Sequence, residues 1–372
     1  MIQTSAYKNW RFGFFFWGIL ILTAILLLLG YANLVNADFY SQNTLHHRQA
    51  LWIVVGLVVM AGVTLADRSF IELFSDVFYW LVVVLLVVVL IWGKKINHSR
   101  RWLFFLGMAL EPSEFAKPAV IMLVAKHLHY IRRTGNHTLM TLLKPMAMVF
   151  LPAVLIMMEP DLGTSIVLML VAFSMLLFDG IRWKTLAAIG VTLVIFAPIA
   201  WFTGIIRDYQ KDRIQVWLHL TDKKNKKKHK DTGMQPRQAL WAVGSGGING
   251  KGVRRASQSR LKYLAEMHTD FIFGIYAEER GFIGSFFLIL LYFGLIGMML
   301  GAAIRARDRF GVLLCVGVGI YLFWQSFFNL GMVSGLFPVV GLTLPLLSYG
   351  GSSLLTTLFL FGLALNVAVA DG

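Results

Sequence analysis

The sequence predicts an all-α integral membrane protein, with about ten transmembrane helices and a large extracytoplasmic loop between helices 7 and 8. Of the 372 residues, 58% are hydrophobic and only 14% are charged, whereas a soluble domain carries roughly a quarter charged residues. Apolar runs of bilayer length recur along the chain, and one long polar stretch, 204–280, interrupts them. Because backbone groups in lipid must bond within their own segment, each run is expected to be a helix.

The apolar runs set the order of the helices. A hydrocarbon core of about 30 Å requires roughly 20 mostly apolar residues in a helix. Lys8 and Arg11 precede the first run, which is too long for the core of a signal peptide and is expected to stay as an uncleaved span. We expect a single polytopic domain over 1–372, with spans near 12–32, 48–66, 77–92, 115–131, 143–158, 162–179, 184–203, 281–303, 310–333 and 350–369.

Basic residues in short loops predict the orientation, because such loops favour the cytoplasm. With both termini in the cytoplasm, most short basic loops fall inside. The loop 93–114 is an exception, and it would lie outside. Its four leading basic residues are Lys94, Lys95, Arg100 and Arg101. A site that holds an anionic substrate at the outer face would explain these charges.

The formal net charge of +15 comes partly from one dense run at 223–230. A solvated tract is the usual meaning of such a run, and attraction to anionic lipid headgroups is the functional alternative. Nucleic acid is not an expected partner, because no aromatic-interleaved basic fold accompanies the run. The single cysteine, Cys315, excludes a disulfide framework and is expected to be a small buried hydrophobe.

The polar sequence before the fourth span contains several candidate site residues. Ser113 is placed to cap the helix that Glu114 opens, and a carboxylate suits a helix N-terminus. Glu114 and Lys117 are three residues apart and therefore share a helix face. A structural ion pair is the alternative to a functional role for them. Trp102 is either a substrate contact or an interfacial belt residue.

Two further polar turns precede spans six and ten. Asp161 is placed to cap span six, and capping alone accounts for it. Around 341–353, Pro338, Pro345 and a glycine pair predict a broken, non-helical entry to span ten. Such a backbone is tolerated at membrane depth only where protein or a cavity covers it.

A glycine-rich run, 244–252, lies inside the long polar stretch. It is not a P-loop, because Ser245 stands where the first glycine is needed and Gly252 stands where serine or threonine should follow the lysine. The run either offers backbone amides to an anion or is a flexible turn.

The polar stretch ends at 264–281, where Asp270 lies at the junction with apolar sequence. Ionisable groups at such depth are functional candidates by default, and this position suits action on a lipid-linked substrate. A carboxylate that caps the next helix is the alternative.

Together these pieces resemble the SEDS family (shape, elongation, division and sporulation) of bacterial cell-wall polymerases. The matching motifs follow the family's order along most of the chain, at 101–102, 112–117, 160–164, 244–247, 268–273 with 278–279, and 345–352. Several positions depart from the family's usual pattern. Frequent glutamines are replaced by Glu111 and Glu159, and the other unusual residues are Ala265, Arg280 and the pair Arg254 and Arg255.

The resemblance implies a peptidoglycan glycosyltransferase that polymerises lipid II at the outer face of the bacterial inner membrane. Lipid II is a disaccharide-peptide carried on undecaprenyl diphosphate. Asp270 is implied as the general base for the acceptor 4-hydroxyl, with inversion at the donor sugar and no covalent sugar–enzyme intermediate. Lys117, oriented by Glu114, is expected to position the substrate or stabilise the departing diphosphate. Supporting roles are expected for Trp102, Arg101, His268 and Ser348.

A divalent cation, Mg²⁺ or Mn²⁺, would also stabilise the diphosphate, but its ligands are not identified. The expected partners are lipid II, a class B penicillin-binding protein that acts as a transpeptidase, and other proteins of the cell-wall elongation complex. A lipid II flippase is the alternative function, and a non-catalytic scaffold is a third. A flippase needs charges along a path through the bilayer, whereas the sequence places most charges at the ends of the spans.

Overall fold

The computed structural model describes residues 12–96, 99–105, 108–131, 137–203, 208–218, 234–257 and 268–370. The basic run 223–230 lies outside these ranges. The helices are α1 (Phe14–Ser41), α2 (Leu45–Leu65), α3 (Arg68–Trp92), α4 (Pro112–Tyr130), α5 (Leu139–Met158), α6 (Leu162–Asp179), α7 (Trp183–Phe202), α8 (Asp208–Leu218), α9 (Met234–Ser245), α10 (Ile272–Arg305), α11 (Arg309–Val333) and α12 (Gly351–Ala370).

Each predicted span coincides with a helix, namely α1 to α7 and α10 to α12. Eight helices in the described part of the chain are long and apolar enough to cross a membrane, by length and composition. The predicted multi-pass helical membrane protein is therefore confirmed.

Helix α4 is the centre of the bundle. It packs against α3, α5, α6, α11 and α12, and most of its residues are buried. It carries three charged residues, Glu114, Lys117 and Lys126. Protein rather than lipid surrounds this helix, and charged groups inside a bundle are expected to face such an interior and to be paired.

The other helices pair around α4. Helix α12 lies against α2, and α10 lies against α11 and α1. Large apolar side chains such as Leu28, Val58 and Leu73 are exposed on the outer faces of α1, α2 and α3. These faces suit contact with lipid, whose tails are as apolar as leucine.

The polar loop before α4 contains a small antiparallel sheet, which was not predicted. Strands β1 (Lys94–Ile96), β2 (Ser99–Phe105) and β3 (Met108–Leu110) lie in that order. Leu103 of β2 pairs with Leu110 of β3. Because side chains alternate along a strand, Arg101 and Trp102 point to opposite faces of β2.

Helix α10 starts earlier than predicted. The prediction ended the polar loop at 280, whereas the helix begins at Ile272. Gly281 interrupts it with φ 66° and ψ −163°, a backbone conformation that glycine adopts most readily. The stretch 204–280 is therefore not one loop, since it contains α8, α9 and the first turns of α10.

The connection between α11 and α12, residues 334–350, is irregular, and we call it the entry segment. This confirms the predicted non-helical approach to the last span. Helix α1 covers it closely, since a Cβ on Gly30 would lie 2.2 Å from the carbonyl oxygen of Leu346. Leu346 has φ 66°. A positive φ is rare for a bulky residue and persists only where the surroundings hold it.

Candidate active site

Asp270 lies in a turn that ends just before α10. Its side chain is partly buried, and its Oδ2 faces the entry segment, since a Cβ on Gly341 would lie 3.5 Å from that oxygen. The N-cap residue of α10 is Phe271, which makes no side-chain cap bond. Asp270 therefore does not occupy the capping position that was its structural alternative.

Asn329 of α11 fixes the backbone of this turn. Its amide nitrogen donates to the carbonyl oxygen of Asp270 at 3.0 Å and to that of Leu342 at 2.6 Å. One helical turn earlier, Gln325 donates to the carbonyl oxygen of Thr343 at 3.1 Å. Sequence reasoning missed both residues. The available signal was the presence of two amide side chains inside an otherwise apolar helix.

Ser348 and His268 also hold the turn. The Ser348 hydroxyl donates to the carbonyl oxygen of Thr269 at 2.6 Å and accepts from the N–H of Leu344 at 2.8 Å. The N–H of Tyr349 donates to the carbonyl oxygen of His268 at 2.8 Å. The entry segment and the Asp270 turn are thus joined by direct hydrogen bonds.

The His268 imidazole faces the connection between α1 and α2. Its Nδ1 lies 3.8 Å from Oδ1 of Asp38, and its Nε2 lies 3.4 Å from Nδ2 of Asn43. The other oxygen of Asp38 accepts from the main-chain N–H of His46 at 2.8 Å. The end of α1 and Asn43 therefore lie against the ring, two residues before the candidate base.

The predicted pair of Glu114 and Lys117 forms inside the bundle. Lys117 Nζ lies 2.7 Å from Glu114 Oε1, and the two side chains are 1% and 7% exposed. The ammonium also lies 5.7 Å from the centroid of the Tyr321 ring, a favourable cation–π contact. Such a pair differs from a surface ion pair, because removing one partner leaves an uncompensated buried charge.

The predicted cap at Ser113 is wrong. Helix α4 begins at Pro112, and its N-cap is Glu111, which makes no side-chain cap bond. Ser113 is fully buried, and its hydroxyl has no hydrogen-bond partner among the described residues. Proline at the first helical position starts the helix instead, because its missing N–H needs no partner. The N–H of Glu111 donates to Ser352 Oγ at 2.9 Å and joins this helix start to α12.

Arg101 ties β2 to the turn between α5 and α6. Its Nε donates to the carbonyl oxygen of Glu159 at 3.2 Å, and its guanidinium also donates to the carbonyl oxygen of Pro160. The Asp161 carboxylate lies 3.8 Å from the same guanidinium. Asp161 also accepts from the N–H of Thr164 at 3.4 Å, which confirms the predicted cap of span six.

Glu111 and Glu159 add two carboxyl groups beside this turn. Glu159 is fully buried, and neither of its carboxyl oxygens has a hydrogen-bond partner in the described part of the chain. Burial and the nearby charge of Asp161 raise the pKa of Glu159 from 4.5 to about 9. The same two causes raise the pKa of Glu111 to about 8. Both groups are therefore expected to be neutral at pH 7, like the glutamines they replace.

Glu159→Gln should make thermal stability less dependent on pH. The folded protein keeps this group neutral up to a pKa of about 9, whereas the unfolded chain ionises it near 4.5. The contribution of this neutral carboxyl group to the free energy of unfolding is fully present at acidic pH. It is lost as the pH rises towards the pKa of the folded protein. The wild-type melting temperature should therefore fall between about pH 5 and pH 9, and Glu159→Gln should reduce that fall. Asp212→Asn, at an exposed position, is the control, and equal slopes in all three proteins would contradict the assignment.

Trp102 lies in β2, where it pairs with Lys94 of β1. It is half-buried, and its strand contacts α3 and α4. The expected contact of Trp102 with sugar or lipid stays a prediction.

The entry segment connects the residues around Asp270 with the residues at the turn between α5 and α6. A Cβ on Gly163, at the start of α6, would lie 2.5 Å from the carbonyl oxygen of Val340, so only glycine permits this approach. The next residue of the segment, Gly341, lies beside the Asp270 carboxylate. Asp270 and the start of α6 therefore contact consecutive residues of the entry segment.

Two adjacent glutamates of α10 bind the glycine-rich part of the polar loop. Glu278 and Glu279 are both buried. The donors to Glu278 Oε1 are Lys251 Nζ at 2.7 Å, Ser257 N at 2.8 Å, Ser257 Oγ at 3.1 Å and Ser245 Oγ at 3.3 Å. The donors to Glu279 are the Tyr40 hydroxyl and Arg254 N, both at 2.8 Å, and Asn36 Nδ2 at 2.9 Å. The main-chain N–H groups of Arg254 and Ser257, just after the glycine-rich run, therefore bind anions. These anions are the carboxylates of Glu279 and Glu278 in the same chain.

Among the described residues, no three His, Cys, Asp or Glu side chains are grouped so that they could hold a metal ion. The expected divalent cation stays a prediction, since Mg²⁺ is commonly held by one or two carboxylates together with substrate phosphates.

Comparison with known proteins identifies a family model that matches almost the whole chain. The model is described as "Cell cycle protein", covers FtsW, RodA and SpoVE, and matches residues 3–371. The chain is 35% identical over 348 residues to the peptidoglycan glycosyltransferase MrdB of Escherichia coli strain K12, covering 93% of this chain and 92% of that protein. Identity to MrdB of Helicobacter pylori strain 26695 is 33% over 334 residues, covering 88% and 84% of the two chains.

Solved structures are similar over nearly the full length. A chain from a peptidoglycan synthase complex, studied for its structural coordination of polymerization and crosslinking, has a TM-score of 0.79 and 27% identity, covering 97% of this chain and 98% of that chain. The rod shape determining protein RodA of Thermus thermophilus has a TM-score of 0.70 and 26% identity, covering 98% of both chains. The resemblance to the SEDS family drawn from the sequence motifs is confirmed, and the solved structures add a similarity to RodA.

Proposed function

Because the chain belongs to the FtsW, RodA and SpoVE family of cell cycle proteins, we propose that it is a peptidoglycan glycosyltransferase. Its substrate is lipid II, which it polymerises into glycan strands at the outer face of the inner membrane during cell-wall elongation. The observation that carries this proposal is the Asp270 carboxylate, which lies beside irregular backbone at one end of a helical membrane bundle.

Asp270 is the general base of the proposed reaction. The acceptor 4-hydroxyl attacks the anomeric carbon of the donor sugar, its proton passes to the Asp270 carboxylate, and the bond from that carbon to the diphosphate oxygen breaks. An α-linked donor then gives a β-linked chain by direct inversion. Asn329 and Ser348 support this role, because their bonds to the carbonyl oxygens of Asp270 and Thr269 hold the turn in place.

Cations held near the start of α4 suit the departing diphosphate. Negative charge develops on that group, and preorganised cations in a water-poor site stabilise it well. The Lys117 ammonium has a fixed position because Glu114 and Tyr321 both contact it. Arg101 is fixed by two main-chain carbonyl oxygens. We assign both residues to binding of the lipid-linked diphosphate.

Polymerisation of purified lipid II by the purified chain tests the proposed function. Glycan strands resolved on a gel, absent without the protein, are the expected result. Movement of lipid II between the leaflets of a vesicle without any polymer would instead establish a flippase. If correctly folded protein showed neither polymerisation nor movement of lipid II, the chain would be a non-catalytic scaffold. That result would overturn the proposal.

We also propose that a class B penicillin-binding protein binds this chain laterally and raises its activity. A similar chain forms part of a peptidoglycan synthase complex, and Leu336, which precedes Gly341 in the entry segment, is 64% exposed. Leu336→Asp should reduce both co-purification with the partner and partner-stimulated polymer yield. Ile304→Asp is the matched control, because Ile304 is 86% exposed at the opposite end of α10. No association of the wild-type chains in nanodiscs would contradict the proposal.

The proposed orientation has both termini in the cytoplasm. Arg68, Lys126 and Arg309 lie at the helix ends remote from Asp270, and basic residues favour the cytoplasmic side. A periplasm-dependent reporter fused to the C-terminus should therefore stay inactive.

A further inference from the structure

A cavity of about 400 Å³ opens between α3, α4 and α5. It lies at the end of the bundle remote from Asp270, because its α4 residues belong to the last two turns of that helix. Apolar side chains, including Leu123 and Met148, form part of its wall. Nothing in the proposed polymerisation uses this cavity.

The lining of the cavity contains two lysines and one aspartate, and Glu72 accepts a hydrogen bond from the hydroxyl of Tyr130 beside it. Lys126 forms an ion pair with Asp76, so these two charges compensate each other. Lys144 of α5 is exposed, and no carboxylate pairs with it in the described part of the chain. Lys144 is therefore the lining lysine whose charge no carboxylate of the described residues compensates. His127 of α4 lines the same cavity.

The depth of Lys126 and Lys144 matches the depth at which lipid headgroups lie. Lys126 lies four residues before the end of α4, and Lys144 lies five residues after the start of α5. At 1.5 Å per residue, both are about 6–8 Å inside the helix ends. Leu143 beside Lys144 is 61% exposed, and Trp80, one turn after Asp76, is 59% exposed. Apolar surface therefore adjoins the polar cavity on the lipid side.

We propose that this cavity binds the phosphodiester headgroup of an anionic glycerophospholipid such as phosphatidylglycerol. Lys144 and His127 contact the phosphate, and the acyl chains lie along Leu143 and Trp80. Basic pockets between transmembrane helices bind anionic headgroups in this way. A lipid fits better than free phosphate, because the cavity opens beside large apolar side chains that a small anion would leave in water.

Native mass spectrometry of the full chain, titrated with phosphatidylglycerol and with phosphatidylcholine, tests the proposal. The anionic lipid should be retained more strongly. Lys144→Gln should weaken its retention about five-fold, the effect of about 1 kcal/mol for one basic residue at a membrane surface. Lys144→Arg should retain binding, because it keeps the charge. Lys184→Gln is the matched control, since Lys184 is exposed at the start of α7 and does not line the cavity.

Three results would overturn the proposal. Equal retention of both lipids would show that charge does not decide binding. Unchanged binding by Lys144→Gln would place the lipid elsewhere. Displacement of the lipid by inorganic phosphate at comparable concentration would identify a small-anion site. None of these results depends on whether the chain polymerises lipid II.

Discussion

Asp270→Asn should lower glycan polymer formation by about 10²–10⁴-fold, the usual contribution of a general base. The substitution keeps the size of the side chain and the main-chain bond from Asn329 to residue 270, but it removes the group that accepts the proton. Lipid II binding should survive, because the proposed contacts to the diphosphate come from Lys117 and Arg101 and not from Asp270. Gel-resolved synthesis from labelled lipid II, with matched amounts of folded protein, measures the effect.

Asp208→Asn is the matched control for this experiment, because Asp208 is an exposed aspartate of α8 in the same polar stretch. It should polymerise at the wild-type rate. If Asp270 served only the structure of the turn, its asparagine variant would lose about 1 kcal/mol of stability and protein yield without a selective loss of polymer. Near-normal polymer from Asp270→Asn would refute the general-base assignment.

Lys117→Ala should strongly reduce both stability and polymerisation. A surface ion pair is worth about 0–1 kcal/mol, whereas this pair is almost completely buried. Removal of the ammonium leaves the Glu114 carboxylate without its partner, which costs about 3–5 kcal/mol. A lower melting temperature in detergent, together with reduced turnover of the protein that remains folded, is the expected result.

Two double variants separate the structural part of this effect from the chemical part. Glu114→Gln with Lys117→Met replaces the pair by neutral groups of similar size, which often restores stability. It should fold like wild type but polymerise poorly. Glu114→Lys with Lys117→Glu keeps an ion pair but moves the cation. Full activity in either double variant would show that the pair has only a structural role.

The helices were predictable from sequence because their signal is local. About twenty apolar residues in a row decide each span without reference to the rest of the chain. The start of α10 was missed for the opposite reason. Glu278 and Glu279 read as loop residues, and they are buried only because donors from α1 and the glycine-rich loop surround them. Strand β2 was missed because its basic residues carry no apolar alternation, and its partner strands have three residues each.

Individual residues of the candidate site could be predicted from the sequence, but their arrangement in space could not. Glu114 and Lys117 could be paired because helix geometry relates residues three apart. The burial of Glu159 beside Glu111 depends on how the α5–α6 turn packs against β2 and α4, and no local pattern encodes that packing. The same holds for Asn329, whose two acceptors belong to separate segments of the chain.

The entry segment also determines when the protein becomes active during its own synthesis. Asn329 and Gln325 each bond a carbonyl acceptor in residues translated after them, at Leu342 and Thr343 respectively. The segment is then closed by α12, where Thr343 Oγ1 lies 2.8 Å from Ser353 Oγ. At about 5–20 residues per second, a ribosome takes a few seconds to translate the chain from Asn329 to Ser353. A partly made chain in the membrane therefore carries Asp270 without a formed site, and a truncation before α12 should leave it permanently in that inactive state.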